Sequence, residues 1–240
     1  MRLAVVIDEP ANRLNGRHPY PPIHLRREVG ALRMFETSAA SMIRTLQLQA
    51  GLRSDARLLD MGCGCGAIPL VMQAHCIPVG GYIGLDVYGA MIDWCNKHIA
   101  NDSFAFAHHD YWSARYNAAG KRFLPFAVDD GWAETIVMKS ILTHLLPEDT
   151  DWYLRETARV LAPSGRAILT AVLYDDTDRD VFQRFQHTGN GGIYRFERPE
   201  SPESSIAISR RWMDEHMAAA GLKYEYVAGT RQGPMLVQHL

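Results

Sequence analysis

The densest concentration of chemistry-bearing residues is the run Asp60, Met61, Gly62, Cys63, Gly64, Cys65 and Gly66. Glycines so spaced let a backbone turn approach a ligand that side chains would hold off, and a following helix start favours nucleotide-like groups. Asp86 lies about twenty residues beyond the third glycine, and His108, His109 and Asp110 follow it, with His144 further on. Carboxylates accept hydrogen bonds from hydroxyls and attract cations, whereas histidine exchanges protons near neutral pH.

Two ligands fit these spacings. Gly62, Gly64 and Ala67 satisfy the G-x-G-x-x-G/A pattern of dinucleotide binding, with Asp86 in the place of the ribose acceptor. Asp60 argues the other way, because a carboxylate two residues before the first glycine repels a pyrophosphate and suits a cationic amino acid end. No clear Tyr-x-x-x-Lys pair supports an oxidoreductase.

The elements around these residues alternate. Leu32, Phe35, Ala39, Met42 and Leu46 recur at helical spacing, with Gly51 as a stop. Arg57 to Met61 reads as a strand running into the glycine turn, and Ala67 to Gln73 as a helix with Pro69 in its first turn. Strands follow at Tyr82 to Val87, Phe104 to Ala107, Thr135 to Lys139 and Arg166 to Leu173. Helices carry Met91, Cys95 and Ile99, and then Tyr153, Leu154, Thr157, Ala158 and Leu161 from Pro147 onward, with Pro163, Ser164 and Gly165 ending the latter. A helix over Trp212 to Ala220 and a hairpin of Lys223 to Val227 with Met235 to His239 close the chain.

This pattern predicts an α/β fold, a doubly wound and mainly parallel sheet that binds ligands at the carboxyl ends of its strands. Residues 1 to 53 are expected to form an N-terminal arm and helix on the substrate side, and 54 to 240 the main domain. Residues 174 to 211, polar and punctuated by glycine and proline, read as a cap-like insertion over the site.

Here the residues resemble a family. Leu58 to Gly66, Gly84-Leu85-Asp86, His109-Asp110 and Ser140 to Leu146 look like successive motifs of class I S-adenosylmethionine-dependent methyltransferases. Ser140-Ile141-Leu142-Thr143-His144-Leu145 and Arg159-Val160-Leu161 are similar to a bacterial small-molecule group with a Ser-x-x-Thr-His-Leu stretch. The resemblance implies a seven-stranded Rossmann-like sheet and S-adenosylmethionine as cofactor, with S-adenosylhomocysteine as product.

It also implies roles. Gly62, Cys63, Gly64 and Gly66 would hold the methionine moiety, with Asp60 near its ammonium; Asp86 would accept from both ribose hydroxyls. Val87 and Met91 would border the adenine, Asp110 would accept from its amino group, and Tyr111 would supply an amide or a ring. Lys139 and Ser140 would offer carbonyls to the ammonium. His144 is the first candidate base, equally open to a structural role, and His109 the second.

His18, His24 and His187 lie in segments expected to close over the pocket, and Tyr20, Tyr194, Arg195, Arg198 and Trp212 there could contact an anionic or polar acceptor. The expected reaction is methylation of a small molecule, most simply at a hydroxyl of a metabolite or sugar, with a small amine or a noncatalytic binder as alternatives.

Composition narrows the partners. Among 240 residues a net charge of -2 supplies no basic footprint for nucleic acid, and no apolar run approaches membrane-spanning length. A cytoplasmic enzyme with a small-molecule acceptor is expected, and a homodimer is left open. The four cysteines read as reduced, Cys76 and Cys95 on apolar helical patterns, and Cys63 and Cys65 too close for an ordinary disulfide or a metal knuckle, so no metal is expected.

Overall fold

The computed structural model describes residues 13–14, 18–227 and 233–240. Of the N-terminal arm and helix expected over residues 1 to 53, residues 1–12 and 15–17 lie outside the described residues, as do 228–232 of the expected closing hairpin.

Two short paired strands, β1 (Arg13–Leu14) and β2 (His18–Pro19), precede the four-residue helix α1 (Ile23–Arg26). Helix α2 (Phe35–Leu48) follows and buries Phe35, Ala39, Met42, Ile43 and Leu46. It starts later than its periodicity predicts, since Leu32 belongs to a 3-10 turn, Leu32–Met34, that feeds it. Gly51, at φ 70°, supplies the left-handed exit.

The body alternates as the pattern requires. Strand β3 (Arg57–Met61) leads to α3 (Ala67–Ala74), β4 (Gly81–Asp86) to α4 (Gly89–His98), and β5 (Phe104–His108) to a long loop before β6 (Ala133–Met138). Helix α5 (Pro147–Val160) starts with proline in its first turn and acidic Glu148 and Asp149 beside the positive helix end.

Strand β7 (Leu161–Ala171) then begins directly at the helix end, which corrects the boundary expected at Pro163 to Gly165. Ala133 pairs with Leu161 while Thr135 pairs with Arg166, so an irregularity in register absorbs the proline and glycine inside the strand edge.

Residues 174 to 211, expected as a cap-like insertion, carry regular structure of their own. Strand β8 (Leu173–Tyr174), helix α6 (Arg179–Arg184), β9 (His187–Gly189), β10 (Tyr194–Phe196) and β11 (Ile206–Ser209) include a second, four-stranded sheet in the order β8-β11-β10-β9. Its buried Ile206 and Ile208 join the core on one side of the main sheet, while Ala207 packs with Tyr174, Val181 and Phe185. Helix α7 (Arg210–Ala219), β12 (Leu222–Tyr226) and β13 (Gly233–His239) complete the chain.

The main sheet has seven strands in the order β12-β13-β7-β6-β3-β4-β5. Strands β3 to β7 run parallel, and β13 is antiparallel to both neighbours. Chain order reverses between β3 and β6, so the crevice at a topological switch point opens at their carboxyl ends. One apolar layer, with Ile43, Leu46, Leu70 and Ile92, covers one side of the sheet, and another, with Leu154, Met213 and Met217, covers the other.

Candidate active site

A cavity of about 1070 Å³ lies at that crevice. Its walls come from the ends of β3, β4 and β6, the loop after β5, the N-terminal segment around Glu28 to Ser38, and residues 198 to 204 of the insertion. Glu28, Val29, Met34 and Arg115 had no sequence signal, because their pattern is that of an irregular solvated segment.

The glycine turn is built by conformation. Gly62, Gly64 and Gly66 have φ of 78°, 56° and 78°, in the left-handed region that side chains disfavour. A Cβ at Gly62 would lie 2.1 Å from Ile141 Cδ1, and one at Gly64 2.5 Å from Val29 Cγ1. Thus the stretch after β6 and the N-terminal segment both close directly on the turn.

Four of the turn's amides already have acceptors within the protein. Gly62 and Cys63 N–H donate to the Leu85 carbonyl at 2.7 and 3.1 Å, and Gly66 N–H to the Cys63 carbonyl at 3.1 Å. Gly64 N–H donates to Asp86 Oδ2 at 2.8 Å. A pyrophosphate would need such donors unoccupied. What the cavity receives instead is carboxylate: Asp60 and Asp86 both line it.

Asp60 is 2 % exposed, and burial pushes its carboxyl up to about 7 even though Tyr82 Oη donates to it at 2.7 Å. Asp86 Oδ1 accepts from Tyr88 N–H at 2.8 Å, so each oxygen carries one backbone bond and keeps a lone pair for a ligand hydroxyl. Burial raises this carboxyl too, opposed by those two amides. Two partly unsatisfied acids fit a ligand with a cationic end and a diol, as S-adenosylmethionine has, and disfavour a polyanion.

Cys63, Val87, Met91, Tyr111, Lys139 and Ser140 also line the cavity. Tyr111 donates from Oη to Asp149 Oδ1 at 2.6 Å. Lys139 Nζ donates to Ser38 Oγ, tying β6 to α2, and burial lowers its pKa. Ser140 takes φ 58° while its N–H donates to Thr170 Oγ1 at 2.6 Å. His144 lines the same cavity, with Nδ1 3.3 Å from the Glu203 carbonyl.

Three expected site residues fall elsewhere. His109 is 2 % exposed, stacks on Tyr111 with ring centroids 5.4 Å apart, and is driven down to about 4 by burial. It is a core residue outside the cavity, because Tyr111, Phe126 and Tyr153 enclose its ring. Asp110 accepts from Asn117 Nδ2 at 2.9 Å and shapes the following loop, and Gly66 packs against Ile99 and Cys95. Neither lines the cavity.

Of the segments expected to close over the pocket, only Arg198 among the residues singled out reaches a cavity. His24 and His187 do not line it, and the side chain of His18 lies outside the described residues. Tyr20 packs on Phe35, Tyr194 on Phe196, and Trp212 on His216, while Arg195 Nε donates to the Phe185 carbonyl. His108 Nε2 sits 3.0 Å from the Val87 carbonyl, outside the cavity.

Cys63, Cys65 and Cys95 are buried free thiols around the turn, all held protonated by burial. Cys76, expected on a buried helical face, is exposed just past α3. Among the described residues no His, Cys, Asp or Glu cluster could hold a metal ion, and no helix is long and apolar enough to cross a membrane.

Residues 58–165 match the methyltransferase domain family. Similar solved structures include a SAM-dependent methyltransferase from Methanosarcina mazei (16% identity, 79% of this chain and 95% of that one, TM-score 0.55). Mitomycin 7-O-methyltransferase MmcR is similar as well (15% identity, 90% of this chain and 56% of that one, TM-score 0.59), as is LepI in complex with SAM (14%, 83% and 46%, TM-score 0.53). At these identities the solved structures speak to the fold. The domain match over residues 58–165, the sheet order and the two-carboxylate cavity together support a class I methyltransferase domain with S-adenosylmethionine as its cofactor.

Proposed function

We propose that this methyltransferase acts on a hydroxyl group of a small molecule, with His144 as general base. The observation that carries the reading is His144 at the cavity wall with Nδ1 3.3 Å from the Glu203 backbone carbonyl. A carbonyl only accepts, so Nδ1 holds the proton and Nε2 is left basic. The same carbonyl then stabilises the ring once Nε2 has taken a proton, as an orienting acceptor does for a catalytic histidine.

S-adenosylmethionine supplies a methyl carbon on a positively charged sulfur, which is an activated leaving group. The residues of this chain bind, orient and exclude water. Asp60 takes the cationic end, Asp86 the ribose hydroxyls, and Val87 with Met91 the base. Val29, Met34 and Ile141 place apolar surface around the remaining space. Alignment is the main requirement of such a displacement, and an enclosing wall supports it. The acceptor hydroxyl would pass its proton to Nε2 of His144 as its oxygen bonds to the methyl carbon.

A cavity of about 1070 Å³, roofed by the N-terminal segment and by residues 198 to 204, supports a metabolite-sized acceptor. MmcR, a 7-O-methyltransferase of mitomycin, shows that the fold serves such chemistry in another protein. The test is transfer of a labelled methyl group from cofactor into the small-molecule fraction of a cell extract, with NMR of the labelled methyl to separate oxygen from nitrogen attachment. Label confined to nitrogen, or none transferred by protein that binds S-adenosylhomocysteine tightly, sinks the reading.

A further inference from the structure

Beside the main cavity lies a smaller one of about 390 Å³. The two share Arg115, Ser140, His144, Arg198 and Ser204, so the smaller cavity adjoins the main one as a side chamber. The chamber is hydroxyl-rich, adding Thr143 and Ser205 to Ser140 and Ser204.

Its charges are unevenly used. Arg115 is paired with Glu28 at 2.6 Å. Arg184 is paired with Glu197 and reaches Ser205 Oγ at 3.4 Å. The Arg198 guanidinium, by contrast, makes no ion pair or hydrogen bond among the described residues, although its backbone carbonyl accepts from Ser201 N–H at 3.2 Å. Glu200 and Glu203 line the main cavity and not this chamber, and the chamber's one acid, Glu197, is already committed.

From this juxtaposition we propose that the side chamber is an anion subsite for the methyl acceptor, in which Arg198 receives a phosphate or carboxylate carried apart from the methylated hydroxyl. The inference rests on the small-molecule reading above and deepens it. A guanidinium fork matches the paired oxygens of either anion, and the neighbouring hydroxyls can donate to the remaining ones. His144 borders both spaces, so an acceptor anchored by its anion at Arg198 presents its other end toward the basic nitrogen.

The subsite is tested by titrating the protein, saturated with S-adenosylhomocysteine, with inorganic phosphate and separately with acetate, following chemical shifts or calorimetric heat. Wild type should bind at least one of these anions, and Arg198→Gln should lose that binding at least tenfold while keeping its melting temperature and its affinity for S-adenosylhomocysteine. Arg198→Lys should restore part of it. Phosphate binding alone assigns a phosphorylated acceptor, and binding of acetate as well assigns a carboxylate. Absence of binding, or equal binding to Arg198→Gln, overturns the subsite.

The labelled product of the extract assay gives a second readout. It should be retained on an anion exchanger and its yield should fall at least tenfold with Arg198→Gln; a neutral or cationic product overturns the inference and leaves the methyltransferase intact. If phosphate binds through Arg198 while no small molecule is methylated, the small-molecule reading fails and the anion site stands.

Discussion

Tyr82 Oη donates a 2.7 Å hydrogen bond to Asp60 Oδ2 below the glycine turn, joining adjacent parallel strands inside the core. Asp60 is thereby fixed in the wall of the main cavity, yet burial alone outweighs this bond and the nearby Lys139, holding the carboxyl at about 7. An acid half-ionised near neutrality is poised for a cationic ligand, because an ammonium beside it favours the charged form.

Cofactor affinity should therefore depend on pH. In the free protein Asp60 is protonated below about 7, and binding a cation must expel that proton. S-adenosylhomocysteine affinity should rise up to about tenfold per pH unit on approaching 7 and level off above it, where Asp60 is already ionised and the ligand's ammonium keeps its proton. Asp60→Asn should weaken binding and abolish the acid limb. Calorimetric titration from pH 5.5 to 9 checks this, and an unchanged acid limb in the variant would assign it to another group.

The same carboxylate should cost stability in cofactor-free protein. Its folded pKa, about 7, exceeds the unfolded 3.8, so the folded state binds the proton more tightly and stability declines as pH rises from about 4 to 7. The rise corresponds to an upper limit of about 4 kcal/mol above pH 8. Asp60→Asn, which keeps an acceptor for Tyr82, should melt higher than wild type at pH 8 and equally at pH 4. Scanning calorimetry without cofactor decides it; a variant that melts lower at pH 8 contradicts the desolvation argument.

Asp86 should matter twice. Its two oxygens hold Gly64 and Tyr88 amides at 2.8 Å, and the ribose hydroxyls are proposed to share them. Hydrogen bonds to a charged group contribute about 1.5–3 kcal/mol each. Asp86→Ala should weaken S-adenosylhomocysteine binding by about 100-fold or more, and hydrogen exchange at Gly64 should accelerate in the free protein because its amide has lost its acceptor. Faster exchange with unchanged affinity would reduce Asp86 to a turn-forming role.

Legibility in the sequence followed burial. Strands β3, β4, β5 and β6 and helix α5 write their cores as apolar runs or helical spacing, and Asp60 and Asp86 stand out because charge at a strand end is costly without a use. The family-like stretches also carry structural reasons. Arg159 donates to the Val128 and Phe126 carbonyls at 2.9 and 3.0 Å, stitching the loop before β6, and Ile141 packs where a Gly62 side chain would lie.

What escaped depends on contacts between distant segments. A two- or three-residue strand such as β9 or β10 has too few positions for alternation to show, so the small sheet was masked by its polar edges. His109 looks like a loop-end base until Tyr111, Phe126 and Tyr153 enclose it. The Gly62 and Cys63 amides find their acceptor in the Leu85 carbonyl, which no local spacing reveals.

His144→Asn separates binding from proton transfer. An asparagine side chain can still meet the Glu203 carbonyl through its amide but cannot accept a proton, so S-adenosylhomocysteine affinity should hold while kcat falls about 10²- to 10⁴-fold. Loss of S-adenosylhomocysteine affinity in step with kcat would make His144 a positioning residue.

The segment over the cofactor turn should control product release. Glu28 and Arg115 pair at 2.6 Å, with side chains 30% and 69% exposed, and Tyr116 Oη donates to the Glu28 carbonyl at 3.5 Å. So exposed a pair contributes at most about 1 kcal/mol to stability. Its position matters more, because it joins the segment that sets Val29 on Gly64 to the loop after β5. Glu28→Gln should leave the melting temperature nearly unchanged while S-adenosylhomocysteine dissociates several-fold faster in stopped-flow displacement, with the difference shrinking at high salt as screening weakens the wild-type pair. Equal dissociation rates at low salt would mean that the segment covers the cofactor without gating it.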